Sequence, residues 1–368
     1  MLGWPRRDNG SLLMGCRNGA APTRAIKLLV LAAIVLCGCG GSETIGSHVS
    51  SGPVSIAQLG DSVASGEGTL YGYQYDARTQ QWVGGNLDAE WPGPYPLCHT
   101  SPHAYGLRVA TDLNGTLHQF ACTGASYSDG ITTPRVNKGF LGNTQLRPAE
   151  FGNWETRADL NTDYDAARPN LVMVTLGADD VQFVAIVEAC IKNAYEHAAG
   201  LAGLDCTAGD PGSTITDDFT DYLPTLADHY KSLAGWIVAR GKADGLVPKV
   251  VFTNYMEPLP SNGQKCPDSN WLYPDQIDYL ATLVARLNTT IETTITGLHN
   301  SNVAVADISQ VLNGHQWCST DPWDYGLSIY KLSDPFSFES DAPFHPTPKG
   351  QQAIAALVAP VAKGLLGR

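Results

Sequence analysis

Five short apolar runs, Val54–Leu59, Leu117–Ala121, Leu171–Leu176, Lys249–Tyr255 and Val303–Ile308, alternate with stretches of helical periodicity, and that rhythm narrows the fold more than anything else in the chain. The helical stretches fall at roughly 101–113, 180–196, 219–243 and 275–298, with a last one at 347–366. Strand and helix in alternation predict a parallel sheet covered on both faces. Within the longest helical stretch, Leu223, Leu226, Tyr230, Leu233 and Ile237 recur at three-to-four spacing and form one apolar face. Thr347 suits the N-cap of the last helix and Pro348 its first turn. Two long connections, 71–97 and 123–170, are rich in Gly, Pro, Tyr and Trp, and loops of that length usually serve function or are packed by their own aromatics. No internal repeat stands out, so residues 54–368 read as one domain.

At 368 residues, 43% of them hydrophobic and 16% charged, the chain can bury a sizeable core. The first 39 residues carry five basic side chains and one acidic one, which leaves 18 basic and 35 acidic residues in the remainder. A body that acidic argues against nucleic acid as a partner. Arg17, Arg24 and Lys27 precede the apolar run Leu28–Leu36, followed by small residues, which is the pattern of an export signal and is short for a membrane span. Leu36 to Cys39 resembles a bacterial lipobox, with Cys39 as the residue to be lipidated. Cys37 departs from that pattern, and ordinary secretion is the alternative. Residues 1–39 are thus expected to be a signal segment, and 40–53 a flexible tether rich in Gly and Ser.

Outside the leader, six cysteines remain, an even number that suits three disulfides in an exported domain. Their positions relative to the expected strands and helices select one of the possible connectivities. Cys98 precedes the helix at 101–113 and Cys122 ends the strand that follows, so both lie at one sheet edge. Cys190 and Cys206 flank a short Gly-rich excursion, and Cys266 and Cys318 lie in loops after two successive strands. The expected pairs are therefore Cys98–Cys122, Cys190–Cys206 and Cys266–Cys318. A zinc site is the rival, but no Cys-x-x-Cys or His-x-x-x-His cluster supports one, and no cofactor is implied.

The first strand ends abruptly in Gly60-Asp61-Ser62, which places a serine at the carboxyl edge of the sheet, where α/β folds bind ligands. Far downstream, His345 sits just ahead of the last helix. A serine hydroxyl becomes a competent nucleophile when a base reaches it. The segments Gly60–Gly68, Cys98–Tyr105, Ala121–Ser126, Val174–Phe183 and Phe344–Gly350, taken in that order, resemble the sequence blocks of the SGNH (GDSL-type) hydrolases, in particular their secreted actinobacterial-type branch. The resemblance spans most of residues 54–352. It implies a flavodoxin-like three-layer α/β/α sandwich with a five-stranded parallel sheet, and ester hydrolysis through an acyl-enzyme. It also implies that Ser62 is the nucleophile, His345 the base, and the Ser62 and Gly124 backbone N–H groups oxyanion donors.

Two positions depart from the family pattern. Where the third block usually reads Gly-x-Asn-Asp, this chain has Gly177, Ala178, Asp179 and Asp180. An ionised Asp179 has no proton to donate to an oxyanion, whereas a protonated one could serve as donor. Asp179 could instead bind a water, a cation or a sugar hydroxyl, or cap the helix that follows. The family's usual acid, three residues before the histidine, is replaced by Ala342, with Asp341 one position further away. Either Asp341 orients His345 or a backbone carbonyl does. Tyr71, Tyr73, Tyr75, Trp82, Trp91 and Tyr95 follow the nucleophile strand, either as an aromatic wall for an acyl chain or sugar or as packing within the loop. The remaining histidines, His99 and His229 among them, read as surface or packing residues.

The sequence therefore reads as an exported monomeric esterase or lipase acting on a small-molecule or lipid ester, anchored to the membrane through a lipidated Cys39 or, in the alternative, freely secreted. A polysaccharide deacetylase, or a binding protein that kept the fold but lost turnover, are the alternatives.

Overall fold

The computed structural model describes residues 53–92, 98–128, 164–198, 206, 214–243, 245–260, 262–269, 272–329 and 342–368. The leader with Cys39, the tether up to residue 52, Tyr95 and Asp341 lie outside the described residues. Among the described residues the strands are β1 (Val54–Gly60), β2 (Gln74–Asp76), β3 (Gln81–Val83), β4 (Gly115–Gln119), β5 (Leu171–Thr175), β6 (Lys249–Thr253) and β7 (Val303–Ala306). The α-helices are α1 (Ser62–Ser65), α2 (Tyr105–Asp112), α3 (Phe183–Ala198), α4 (Thr214–Ala243), α5 (Pro274–Gly297) and α6 (Pro348–Leu366).

Strands β4-β1-β5-β6-β7 form one parallel sheet, in that order. Helices α2 and α6 pack on each other, and so do α4 and α5, which gives the three-layer α/β/α arrangement. Every residue of β5 is buried, as suits a central strand covered on both faces. The predicted apolar face of α4 is real: Leu226, Tyr230, Leu233 and Ile237 are all buried. At the start of α6 the Thr347 side chain accepts the Gly350 N–H, and Pro348 occupies the first turn.

Part of the long connection after β1, expected to be loop, is ordered as an antiparallel hairpin, β2–β3. Asp76 accepts the Arg78 N–H at 2.9 Å and Gln80 takes a left-handed φ of 54°, so a polar turn closes two three-residue strands. Tyr71, Tyr73 and Trp82 join Tyr325, Ile329 and Ala342 in a small second core, with Tyr75 and Trp91 packed at its margin. Their rings meet edge-on, Trp82 lying 4.8 Å from Tyr325 between centroids. These aromatics are therefore spent mainly on holding the loop together. Three disulfides join Cys98 to Cys122, Cys190 to Cys206 and Cys266 to Cys318.

One polar side chain knits the layers beneath Ser62. Buried Gln351 on α6 accepts the Tyr105 N–H of α2 at 2.8 Å and donates to the Val63 carbonyl of α1 at 2.9 Å. It thereby satisfies two buried backbone groups at helix ends that have no partner within their own helices.

Candidate active site

Strand β1 can turn into α1 only because residue 60 is glycine. Its φ is 137°, and a Cβ there would lie 2.0 Å from the Thr175 carbonyl oxygen. The close approach lets the Asp61 N–H donate to that carbonyl at 2.9 Å. The Asp61 side chain then caps α1 by accepting the Val63 N–H at 3.0 Å. Ser62 thus sits at the first position of a one-turn helix, where its N–H has no acceptor within the helix.

His345 reaches this serine from the other end of the chain. Its Nε2 lies 2.7 Å from Ser62 Oγ, and its Nδ1 lies 3.1 Å from the Pro343 carbonyl oxygen. A carbonyl only accepts, so the contact places the ring proton on Nδ1 and leaves Nε2 free to accept from the serine. The segment carrying the histidine is tied down by backbone bonds: Tyr325 N–H to the His345 carbonyl at 2.9 Å, Phe344 N–H to the Tyr325 carbonyl at 2.8 Å, and Thr347 N–H to the Trp323 carbonyl at 2.8 Å. Phe344 holds a left-handed φ of 68°, which a bulky residue adopts only when its surroundings force it.

Gly124 stands beside the Ser62 turn on the loop after β4, because the Cys122 N–H donates to the Gly60 carbonyl at 2.9 Å. Its φ is 69°, and among the described residues no group accepts its N–H. The loop is closed on both sides, by Thr123 N–H to the Cys98 carbonyl and Ala125 N–H to the Cys122 carbonyl, each at 3.1 Å, and by the Cys98–Cys122 bridge. An unclaimed, rigidly aimed N–H next to a serine is what an oxyanion needs.

Asp179 is half-buried in the turn that leads from β5 to α3. Its electrostatic influence falls on Asp61, the fully buried capping residue. Burial first, then the Asp179 and Asp180 charges, push the Asp61 carboxyl well above its ordinary range, against the opposing pull of its hydrogen bonds from Tyr255 and the Val63 N–H. The Tyr255 hydroxyl donates to Asp61 and accepts the Ala178 N–H at 3.0 Å, so it bridges the nucleophile turn to the turn that carries Asp179. Burial, then the Asp61 charge, keep that phenol well above the usual tyrosine value. Asp180 is occupied elsewhere: both its oxygens take the Tyr127 N–H at 3.1 Å, and His229 Nδ1 lies 3.2 Å away.

Two residues beside Ser62 have no counterpart among the site residues expected from the sequence. Glu67 is wholly buried beside the nucleophile turn, and its Oε2 lies 2.6 Å from His99 Nδ1. Burial pushes the Glu67 carboxyl up, yet the His99 charge and hydrogen bond, then His345 and Thr123, pull it net below the ordinary glutamate value. His99, expected to be a surface or packing residue, is the partner that makes this buried carboxylate tolerable. The only trace in sequence is a lone acid between Gly66 and Gly68 in an otherwise uncharged turn. Among the described residues, no group of three or more His, Cys, Asp or Glu is arranged to hold a metal ion.

No protein-family model and no curated protein sequence matches the chain. Solved structures do. Phospholipase A1 from Streptomyces albidoflavus NA297 is 20% identical with a TM-score of 0.53, over 85% of this chain and 100% of that one. An extracellular lipase from Streptomyces rimosus is 19% identical with a TM-score of 0.52, over 83% of this chain and 98% of that one. The chain therefore has the fold of these Streptomyces proteins, the three-layer α/β/α arrangement with a five-stranded parallel sheet that its sequence blocks implied.

Proposed function

We propose that this protein is a carboxylic-ester hydrolase, an exported serine esterase or lipase. The observation that carries the reading is the 2.7 Å contact between Ser62 Oγ and His345 Nε2, with the other ring nitrogen on the Pro343 carbonyl. His345 takes the hydroxyl proton as Ser62 attacks the ester carbonyl, and the Ser62 and Gly124 N–H groups receive the charge that develops on oxygen. The imidazolium returns its proton to the departing alcohol, which leaves an acyl-enzyme. A water activated by the same histidine then releases the acid. A carbonyl orients the imidazole in the tautomer the reaction needs, though a neutral acceptor stabilises the imidazolium less than a carboxylate does. Asp341 is retained as a candidate second partner of that ring.

Asp179 is the candidate third oxyanion donor, a role that requires a proton on its carboxyl. The support is positional: Asp179 occupies the place of the family's donor and stands close enough to the Ser62 turn for its charge to act on Asp61. Export is supported by the three disulfides, which suit an oxidising compartment. Anchoring would act through Cys39 and leave the catalytic domain free on its tether. The substrate is an ester of a small molecule or a lipid, handled by a monomer.

The test is turnover of p-nitrophenyl esters from acetate to octanoate by wild type and by Ser62→Ala. Loss of turnover in the variant supports the reading, and the chain-length profile separates short-acyl esters from lipids. Turnover that survives in Ser62→Ala refutes it. A wild type inert on every ester, but active on an acetylated polysaccharide, would select the deacetylase instead.

A further inference from the structure

The turn after α1 carries a buried acid, Glu67, in contact with His99, and the reaction as described does not use this pair. The Glu67 N–H donates to the Ser62 carbonyl at 3.0 Å, so the residue is fastened directly to the nucleophile. Its buried carboxylate accepts the Gly68 N–H on one oxygen at 2.9 Å and meets His99 on the other at 2.6 Å. His99 occupies a left-handed φ of 50°, and its ring stacks on Trp91 at 4.5 Å with an interplanar angle of 8°. A histidine stays in that conformation only where its surroundings over-determine it, and here the carboxylate and the indole do so. The residue before it, Cys98, supplies the carbonyl that accepts the Thr123 N–H at 3.1 Å and the sulfur bonded to Cys122. Gly124 follows directly. A chain of contacts thus runs from Ser62 through Glu67, His99 and Cys98 to Gly124.

We propose that Glu67 and His99 are positioning residues that set the distance between the two oxyanion donors, the Ser62 and Gly124 N–H groups. The inference rests on the proposed Ser62 and His345 chemistry and deepens it. The oxyanion exists only in the transition state and the tetrahedral intermediates, so a device that aims its donors changes kcat and leaves substrate binding nearly untouched. The pair suits the task because a short contact between an acid and an imidazole is stiff in a site that excludes water.

The experiment compares wild type, Glu67→Gln, His99→Asn and the double variant of the full chain. Glu67→Gln keeps the size of the side chain and removes its charge. In His99→Asn the asparagine tolerates the left-handed backbone but is too short to reach Glu67. Two readouts are taken: kcat and KM on the p-nitrophenyl ester that wild type cleaves fastest, and the inhibition constant of an alkyl trifluoromethyl ketone, whose serine adduct carries the oxyanion.

Each single variant is expected to lose about tenfold or more in kcat, with KM within about twofold and ketone affinity falling by the same factor as kcat. The double variant should lose less than the product of the two single losses, since both residues act on the Gly124 loop through a shared contact. A folded variant, judged by near-UV circular dichroism, that keeps kcat within about twofold of wild type overturns the proposal. Losses that multiply in the double variant, or that leave ketone affinity intact, overturn it as well. Should Glu67→Gln fail to fold, His99→Asn, at a side chain 18% exposed, decides alone. Ser62→Ala separates the two levels. Turnover that survives it overturns the underlying reading and this inference with it, whereas turnover lost there but kept in Glu67→Gln overturns the inference alone.

Discussion

The segment that carries His345 rests on two buried acids, and their ionisation should make the protein less stable as pH rises. Asp268 and Asp324 are both wholly buried, and Asp324 sits at the isolated bridge that pairs it with Pro346, next to the candidate base. Burial pushes Asp268 from 3.8 to about 6, while hydrogen bonds from the Ser328 hydroxyl and N–H hold it back. Burial, then the Asp268 charge, push Asp324 well above the carboxylate range. A carboxyl whose folded pKa exceeds its unfolded value binds more protons in the folded state between the two values. Its contribution is therefore complete below about 3.8 and is lost as pH rises through about 6. A gap of about 2 units corresponds to roughly 3 kcal/mol.

The perturbation is Asp268→Asn. Its amide oxygen can take over the two Ser328 hydrogen bonds, while its NH₂ would stand where Asp268 Oδ2 now has no partner. That orphaned donor costs about 1–3 kcal/mol at every pH, so the informative quantity is the slope with pH and not the absolute stability. Urea unfolding of both proteins, with disulfides intact, would be followed from about pH 4 to about pH 8 across the window the linkage defines. Wild type should lose roughly 2–3 kcal/mol more than the variant over that range, and removing the Asp268 charge should also ease Asp324. Parallel curves would refute the reasoning, because they would mean that Asp268 carries the same proton folded and unfolded.

Two further outcomes are expected. Asp179→Asn installs a permanent amide donor and removes a charge that presses on Asp61, so kcat above neutral pH should rise by about tenfold or more, against 10²–10³ for a whole donor; the wild-type profile should be narrower and shifted to acid, and a variant that gains nothing above pH 7 with an unchanged acid limb would show that Asp179 is not the missing donor. If Cys39 is lipidated, intact-mass analysis of the mature protein should show an acylated N-terminal cysteine, and a bare terminus near residue 40 would reduce export to simple secretion.

The sheet was legible because its signal is local. Each of the five runs is a short apolar block between helical patterns, and every block contains most of one strand of the parallel sheet. The edges were less legible: β4 begins at Gly115, two residues before its apolar run, because the register with Val54 and not the apolar count decides where pairing starts. Hairpin β2–β3 stayed hidden because three-residue strands of mixed polarity carry no period. Ser62 and His345 could be singled out because their side chains would do the chemistry. The carbonyl at Pro343 could not, since a backbone oxygen leaves no mark on residue identity.

The buried acids divide along the same line, and the division is physical. Asp61, Glu67, Asp268 and Asp324 are all wholly buried, and each must be compensated or keep its proton. Only Glu67 has a histidine against it, and only Glu67 is held below its ordinary range; the other three are pushed up. The nucleophile turn therefore rests on one acid that stays ionised and one that resists ionising, while the segment carrying His345 rests on two that resist. Burial acts on all four, and what separates them is the neighbour: for Glu67 a histidine 32 residues away in the chain, for Asp61 the charge of Asp179, for Asp324 the charge of Asp268. Such pairings are tertiary, so a sequence shows that the acids are there but not which of them carry charge.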